Sequence, residues 1–498
     1  MNVNPITRLD YPDPDVIRVE DTYYMASTTM HFMPGCEILQ SFDLVHWEHV
    51  TYVYETLDHT DAQQLKSGQN IYGQGMWAAS LRYHEGRFCI CFVANDTRKT
   101  YLYTSEKIDG PWKKQLIEGF YHDGSLLFDE DGRNYIVYGN DEIWITELNE
   151  DLTAPKKDGL HRLLVSDHKN PELGYEGSHI QKINGYYYIF LIHSLRDRWM
   201  RTEACFYSDS LEGEFTGGDV LCDDRGYCGQ GVAQGGIVDT PDGKWYAMLF
   251  QDSGAVGRIP ILLPVTWKDH FPFFGQNGHV PEEIEVHSTR PGYIYQPLVG
   301  SDDFCNGLLP HWQFNHDPDP RYYHLDALQG TYTITTREVC TELTQAVNTL
   351  TQRMSYPSCA AEVTVDASAL KEGDVAGLCA LQSCYAAVGI TKHHGKYEVL
   401  MLDKKEDGIL DMTEGTVVES HQMDFRLEAD FCNMKDEARC YYRVNKGDWL
   451  PIGTVHKLYF KLDHFTGCRF GLFCYAAEET GGSACFRDFK YYDVDEIS

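Results

Sequence analysis

A short pattern that returns five times constrains this chain more than any other feature. A polar turn is followed by aromatic residues and then an apolar run. It reads Glu20-Asp21-Thr22-Tyr23-Tyr24, Glu85-Gly86-Arg87-Phe88 and Asp131-Gly132-Arg133-Asn134-Tyr135, then Asn184-Gly185-Tyr186-Tyr187-Tyr188 and Asp242-Gly243-Lys244-Trp245-Tyr246. Asp-Gly and Asn-Gly are strong hairpin signals because glycine takes the positive φ of a tight turn. The turns begin at 21, 85, 131, 184 and 242, in steps of 64, 46, 53 and 58 residues. That spacing fits four short strands per repeat with loops of variable length. Five such units predict an all-β fold, a five-bladed β-propeller over residues 1–297. An irregular β-sandwich with chance turns is the plain alternative.

Counting back eight residues from each turn start reaches Asp13, Trp77, Asp123, Glu176 and Gln234. If the hairpins are equivalent, these five side chains converge on the central channel. Three carboxylates gathered there raise one another's proton affinity and are costly unless chemistry uses them. Cleavage of a glycosidic bond is one such chemistry. An acid protonates the leaving oxygen, a second carboxylate activates water, and a third tunes the acid. Spacing alone does not apportion these roles.

Composition narrows the partners. Acidic residues outnumber basic ones 75 to 42, for a net charge of -33, which repels phosphate backbones and anionic lipid. Nucleic acid and membrane are therefore excluded, and no apolar run is long enough for a spanning helix. The opening Met1-Asn2-Val3-Asn4-Pro5 lacks a basic start and apolar run, so the expectation is a cytoplasmic protein whose 16 cysteines are reduced. Nothing in the sequence decides against a homo-oligomer.

Several segments, taken in order, resemble glycoside hydrolase family 43. They are Tyr11-Pro12-Asp13-Pro14-Asp15, Met76-Trp77-Ala78-Ala79-Ser80, His122-Asp123-Gly124-Ser125 and Tyr175-Glu176-Gly177-Ser178-His179. The resemblance implies that Asp13 is the general base and Glu176 the general acid. It also implies that Asp123 adjusts the proton affinity of Glu176 and orients it. Trp77 and Phe32 are candidate walls of the sugar subsite, and Arg258 resembles an arginine that binds a sugar hydroxyl. Each has a plain alternative: Asp13 and Asp123 as turn residues, Glu176 as a loop residue, Trp77 as channel filling, Phe32 as core, and Arg258 as a surface or blade-closing residue. Gln234 stands where many members carry a histidine associated with calcium or water. An amide oxygen can ligate calcium, so no cofactor is required and calcium stays open.

From about residue 300 the pattern changes to sandwich-like strands such as Ala360-Ala361-Glu362-Val363-Thr364-Val365. Residues 298–498 resemble the C-terminal β-sandwich of family 43 β-xylosidases, a concanavalin-like jelly roll, in which a loop helps close the active site. Tyr475–Gly482 is the candidate loop here. Asp302, Asp303 and Asp488 would form a second calcium option if the two ends of that domain meet. The resemblance implies an exo-acting, inverting hydrolase that releases terminal xylose, and also arabinofuranose, from small xylo-oligosaccharides. Arabinofuranosidase as the main activity is the alternative. A sugar-binding propeller without catalysis and a retaining fructan-cleaving enzyme are the more distant ones.

Overall fold

The computed structural model describes residues 2–413 and 415–493. Five four-stranded antiparallel sheets follow one another along the chain. Their innermost strands are Asp15–Val19, Met76–His84, Ser125–Phe128, Glu176–Ile183 and Val232–Asp239. The fold is therefore the expected five-bladed propeller.

Apolar clusters fill each seam between neighbouring blades. Ile38 of the first blade meets Leu81 and Phe92 of the second. Leu102 meets Leu126 and Ile136 at the next seam, Val137 meets Ile189 at the third, and Phe190 meets Leu249 at the fourth. The ring closes where Met25 and Leu39 pack on Met248 and Leu262. Each fully buried aliphatic side chain contributes about 1.5–3 kcal/mol. A polar clasp reinforces the closure: the Asn4 side chain donates to the Leu262 carbonyl at 2.8 Å and accepts the Leu262 amide at 3.0 Å.

Every innermost strand carries one extra residue at the same end of the channel. Trp77 pairs with Val93 and Ser80 with Cys91; Glu176 pairs with Ile192 and His179 with Phe190; Ala233 pairs with Phe250 and Gly236 with Met248. In the first blade the Thr28 amide donates to the Pro12 carbonyl while Asp15 pairs with Ala26. In the third the Gly139 amide donates to the His122 carbonyl while Ser125 pairs with Val137. Two residues thus oppose one in all five blades, which defines a β-bulge. The first bulged residue has left-handed φ each time: Asp13 (52°), Ala78 (35°), Asp123 (48°), Gly177 (65°) and Gln234 (62°).

Among the described residues, the second half supplies eight strands of a nine-stranded sheet and all strands of a seven-stranded one, packed around a continuous apolar core. It is wedded to the propeller. Phe32–Met33, in the loop between the second and third strands of the first blade, pairs with Phe314 and Asn315 and becomes an edge of the nine-stranded sheet. Arg353, at the end of the strand Leu350–Arg353, enters the propeller. It donates to the Asp10 carbonyl at 2.8 Å and to Glu37 at 2.7 Å, and its guanidinium lies over the Tyr11 ring. Burial alone would raise the Glu37 carboxyl, but Arg353 and then His49 bring it down to about 2.

The Arg353–Glu37 pair yields a stability prediction. Arg353→Met should strand a buried carboxylate and destabilise the protein by about 3–5 kcal/mol, read by chemical denaturation. Adding Glu37→Gln should recover most of the loss. Because Glu37 is held below its ordinary range, the contribution of this pair is complete above pH ~4.5. It should fade as pH falls toward 2.

Candidate active site

The bulges decide what points into the channel mouth. The residue preceding each left-handed position is Pro12, Trp77, His122, Glu176 or Ala233, and the left-handed residue itself is Asp13, Ala78, Asp123, Gly177 or Gln234. The five residues reached by counting back from the turns therefore fall into two adjacent sets. Asp13, Asp123 and Gln234 share one position, whereas Trp77 and Glu176 share the one before it. Two offsets cause this: the count starts at Asp21, the second residue of its two-residue turn, but at Glu85 and Asn184, the first residues of theirs, and five residues instead of two close the hairpins from Phe128 to Asn134 and from Asp239 to Trp245.

Asp13 is buried with both oxygens engaged. The Thr28 hydroxyl donates to Oδ2 at 2.7 Å and the Arg258 guanidinium to Oδ1 at 3.1 Å. Thr28 in turn accepts the Ala78 amide at 2.8 Å, which ties the first blade to the second. Asp123 accepts the amide of Gly177 at 3.0 Å, so it fixes the peptide next to Glu176. Glu176 accepts from the Asn140 side chain at 2.7 Å. His122 Nε2 stands 3.5 Å from an oxygen of Asp123 and 3.5 Å from one of Glu176, within ion-pair reach but longer than a hydrogen bond.

The three acids sense one another. Burial, and then the charges of Glu176 and Asp13, push Asp123 up to about 6 against the pull of His122. Asp123, helped by Glu176 and Asp13, carries the His122 imidazole up to about 9 in spite of its burial. Donor atoms of His122, Asp123 and Glu176 lie within 4.8 Å of one another, and Asp13 stands outside this trio. An imidazole nitrogen in such a set matches poorly with calcium, which takes oxygen ligands.

Aromatic rings wall the site. Trp77 lies 5.3 Å from the ring of Phe465 and 6.1 Å from that of His122. Phe465 belongs to the β-sandwich half and lies 4.5 Å beneath the Arg258 guanidinium, which also donates to its carbonyl at 3.4 Å. Its loop is anchored on the propeller, with Gly467 donating to Asp10 and Cys468 to the Ala255 carbonyl, both at 2.8 Å. The floor is Arg82, which donates to Asp15, to Ser125 and to the carbonyls of Leu126 and Ile180. Beyond it a separate hollow of about 460 Å³, lined by Arg18, His84 and Lys182 among others, opens at the far end of the channel.

Several expected placements differ. Phe32 is not a wall of this site. It is buried among Leu343, Val375 and Phe473, under the guanidinium of Arg469, because its segment joins the sandwich sheet. The loop reaching the site is the one carrying Phe465, not Tyr475–Gly482, whose residues bond to Gly373, Lys371 and Thr336 within the sandwich. Arg258 does lie at the site, donating to Asp13. Gln234 lies over Gly177, where a Cβ would come within 2.8 Å of its Cδ, and its backbone N–H donates to the buried Glu203. The two ends of the second half do meet, through paired amide–carbonyl bonds of Asp302 and Phe489. The Asp302 carboxylate there accepts N–H groups of Phe304 and Trp312. Sequence reasoning missed His122, although it adjoins Asp123 in the motif already singled out. It also missed Asn140, Thr28 and Phe465, whose contacts are made by the fold.

Comparison with known proteins agrees with this arrangement. The family model for glycosyl hydrolases family 43 matches residues 3–272, and that for the beta xylosidase C-terminal concanavalin A-like domain matches residues 301–492. A beta-xylosidase of Formosa agariphila is 26% identical, with 99% of this chain and 89% of that protein covered. A xylosidase/arabinosidase of Humicola insolens is 26% identical over 98% of this chain and 96% of its own. A solved structure, the bifunctional GH43-CE protein of Bacteroides eggerthii, is 42% identical with a TM-score of 0.92. It covers 99% of this chain, which spans 64% of that protein.

The charge set predicts an unusual titration. His122 should stay protonated through neutral pH and lose its proton near pH 9, which ring-resonance NMR against a His122→Asn control would read. Its raised affinity stabilises the fold fully below pH ~6.5, and that contribution is lost as pH rises through 9. A midpoint near 6.5 would contradict the charge arrangement.

Proposed function

The chain belongs to glycosyl hydrolases family 43, and on that premise we propose that it removes terminal xylose, and also arabinofuranose, from small xylo-oligosaccharides with inversion at the anomeric carbon. One observation carries this reading. Three carboxylates meet at one mouth, two of them close together and the third held apart by its own partners. Relatives named for xylosidase and arabinosidase activity support the substrate class. Phe465, brought by the second half to the propeller's mouth, supports action on a chain end, since an aromatic wall there leaves room for a terminal sugar ring.

The roles follow from position. Glu176 gives its proton to the leaving oxygen as the glycosidic bond breaks. Asp13 takes a proton from the water whose oxygen bonds to the anomeric carbon from the opposite face. Inverting pairs stand roughly 6.5–9.5 Å apart to admit that water. Asp123 lies too close to Glu176 to serve as the base, since their oxygens fall within 4.8 Å. It holds the Gly177 amide instead, and so orients Glu176. After the products leave, Glu176 regains a proton from solvent and Asp13 gives one up. A cytoplasmic site of action belongs to the same proposal and is supported by the cysteines, all unpaired among the described residues.

Rates on nitrophenyl β-xyloside and nitrophenyl α-arabinofuranoside, measured side by side, set the preferred sugar. Glu176→Gln should lower turnover of xylobiose by about 10²–10⁴-fold and spare the nitrophenyl substrates, whose leaving group needs little protonation. Asp13→Asn should abolish turnover of all of them. Near-normal turnover of xylobiose by either variant would refute the assignment.

A further inference from the structure

His122 occupies, in the third blade, the position that Glu176 occupies in the fourth: each directly precedes the left-handed bulge residue. Its Nε2 is equidistant, at 3.5 Å, from Asp123 and Glu176. Around it stand Asp123, Glu176 and, through longer-range charge, Asp13, with the Trp77 indole across the mouth. Arg258 serves Asp13, so the site divides into two charge-matched halves, Asp13 with Arg258 and the Asp123–Glu176 pair with His122. With Glu176 protonated and His122 charged, two anions face two cations and the mouth is neutral. When Glu176 delivers its proton, a second negative charge appears beside Asp123, within 3.5 Å of the same imidazole nitrogen.

We propose that His122 is a positioning residue of the hydrolytic reaction: as an imidazolium it holds Asp123 and Glu176 together and compensates the charge that develops on Glu176 as the proton leaves. This rests on the assignment of Glu176 as the acid. It adds that the strength of that acid is set by a cation on its own side of the channel as well as by the neighbouring carboxylate. The raised proton affinity of His122, which reaches about 9, keeps the cation in place across neutral pH. A cation beside a carboxyl favours its ionised form, so the imidazolium of His122 eases departure of the proton that Glu176 gives to the leaving oxygen.

The test is the alkaline limb of the pH profile of kcat/KM on xylobiose, compared among wild type, His122→Asn and His122→Phe. Asparagine keeps a hydrogen-bond donor but no charge, and phenylalanine keeps neither. Both variants should move the alkaline limb upward by about one pH unit. Both should also lose roughly 10-fold in plateau kcat while the rate on nitrophenyl xyloside falls less. A limb that stays in place in both variants, moves downward, or moves only in His122→Phe would overturn the proposal. Should both variants unfold, the wild-type ring decides, since a His122 that loses its proton below pH 7 overturns it as well. Failure here is distinct from failure of the acid assignment, which Glu176→Gln tests separately.

Discussion

A bulge that frees a backbone amide at the channel mouth is the interaction on which the rest of the site depends. In the second, fourth and fifth blades that amide, of Ala78, Gly177 or Gln234, is taken by a side chain of the preceding blade: Thr28, Asp123 or Glu203. Left-handed backbone at non-glycine residues such as Asp13, Ala78, Asp123 and Gln234 costs roughly 1–2 kcal/mol each. The inter-blade hydrogen bonds offset that cost and fix the angle between neighbouring blades. The extra residue also turns two successive side chains of a blade toward the mouth, where a regular strand would send them to opposite faces. Five blades can therefore supply a crowded polar site from a narrow channel.

The same device explains why structure and chemistry are hard to separate here. Asp123 is at once an acid of the site and the acceptor that anchors the next blade's bulge. Thr28 holds Asp13 and at the same time the second blade. The second half of the chain takes part in the same way. Arg353 reaches the carbonyl of Asp10, three residues before Asp13, and Asp10 binds both the Arg258 amide and the Gly467 amide of the loop that carries Phe465. The aromatic wall and the Arg258 partner of Asp13 are thus positioned from one aspartate, which gives the β-sandwich a part in the site beyond its own stability.

Much of this was legible in the sequence because hairpin turns are local. The turn residues at 21, 85, 131, 184 and 242 mark five blades, and the motifs around Asp13, Asp123 and Glu176 mark the acids. Register was less legible. A count from the turns cannot see that two hairpins close with five residues, nor that Asp21 is the second residue of its turn while Glu85 and Asn184 are the first of theirs, so it merged two adjacent positions and passed over His122. Phe32 looked like a site wall because its partners, Phe314 and Asn315 on the sandwich sheet, lie nearly 300 residues away. Phe465 was invisible for the same reason: its contact with Arg258 joins residues 207 apart in the chain.

The central claim is that Asp13, held apart from the Asp123–Glu176 pair, activates water on the far face of the sugar. The first-formed sugar reports this directly. Proton NMR of nitrophenyl β-xyloside hydrolysis, followed from the first turnovers before mutarotation, should show α-xylose appearing first. Initial appearance of β-xylose would mean a covalent intermediate on one of the close carboxylates and would contradict the account.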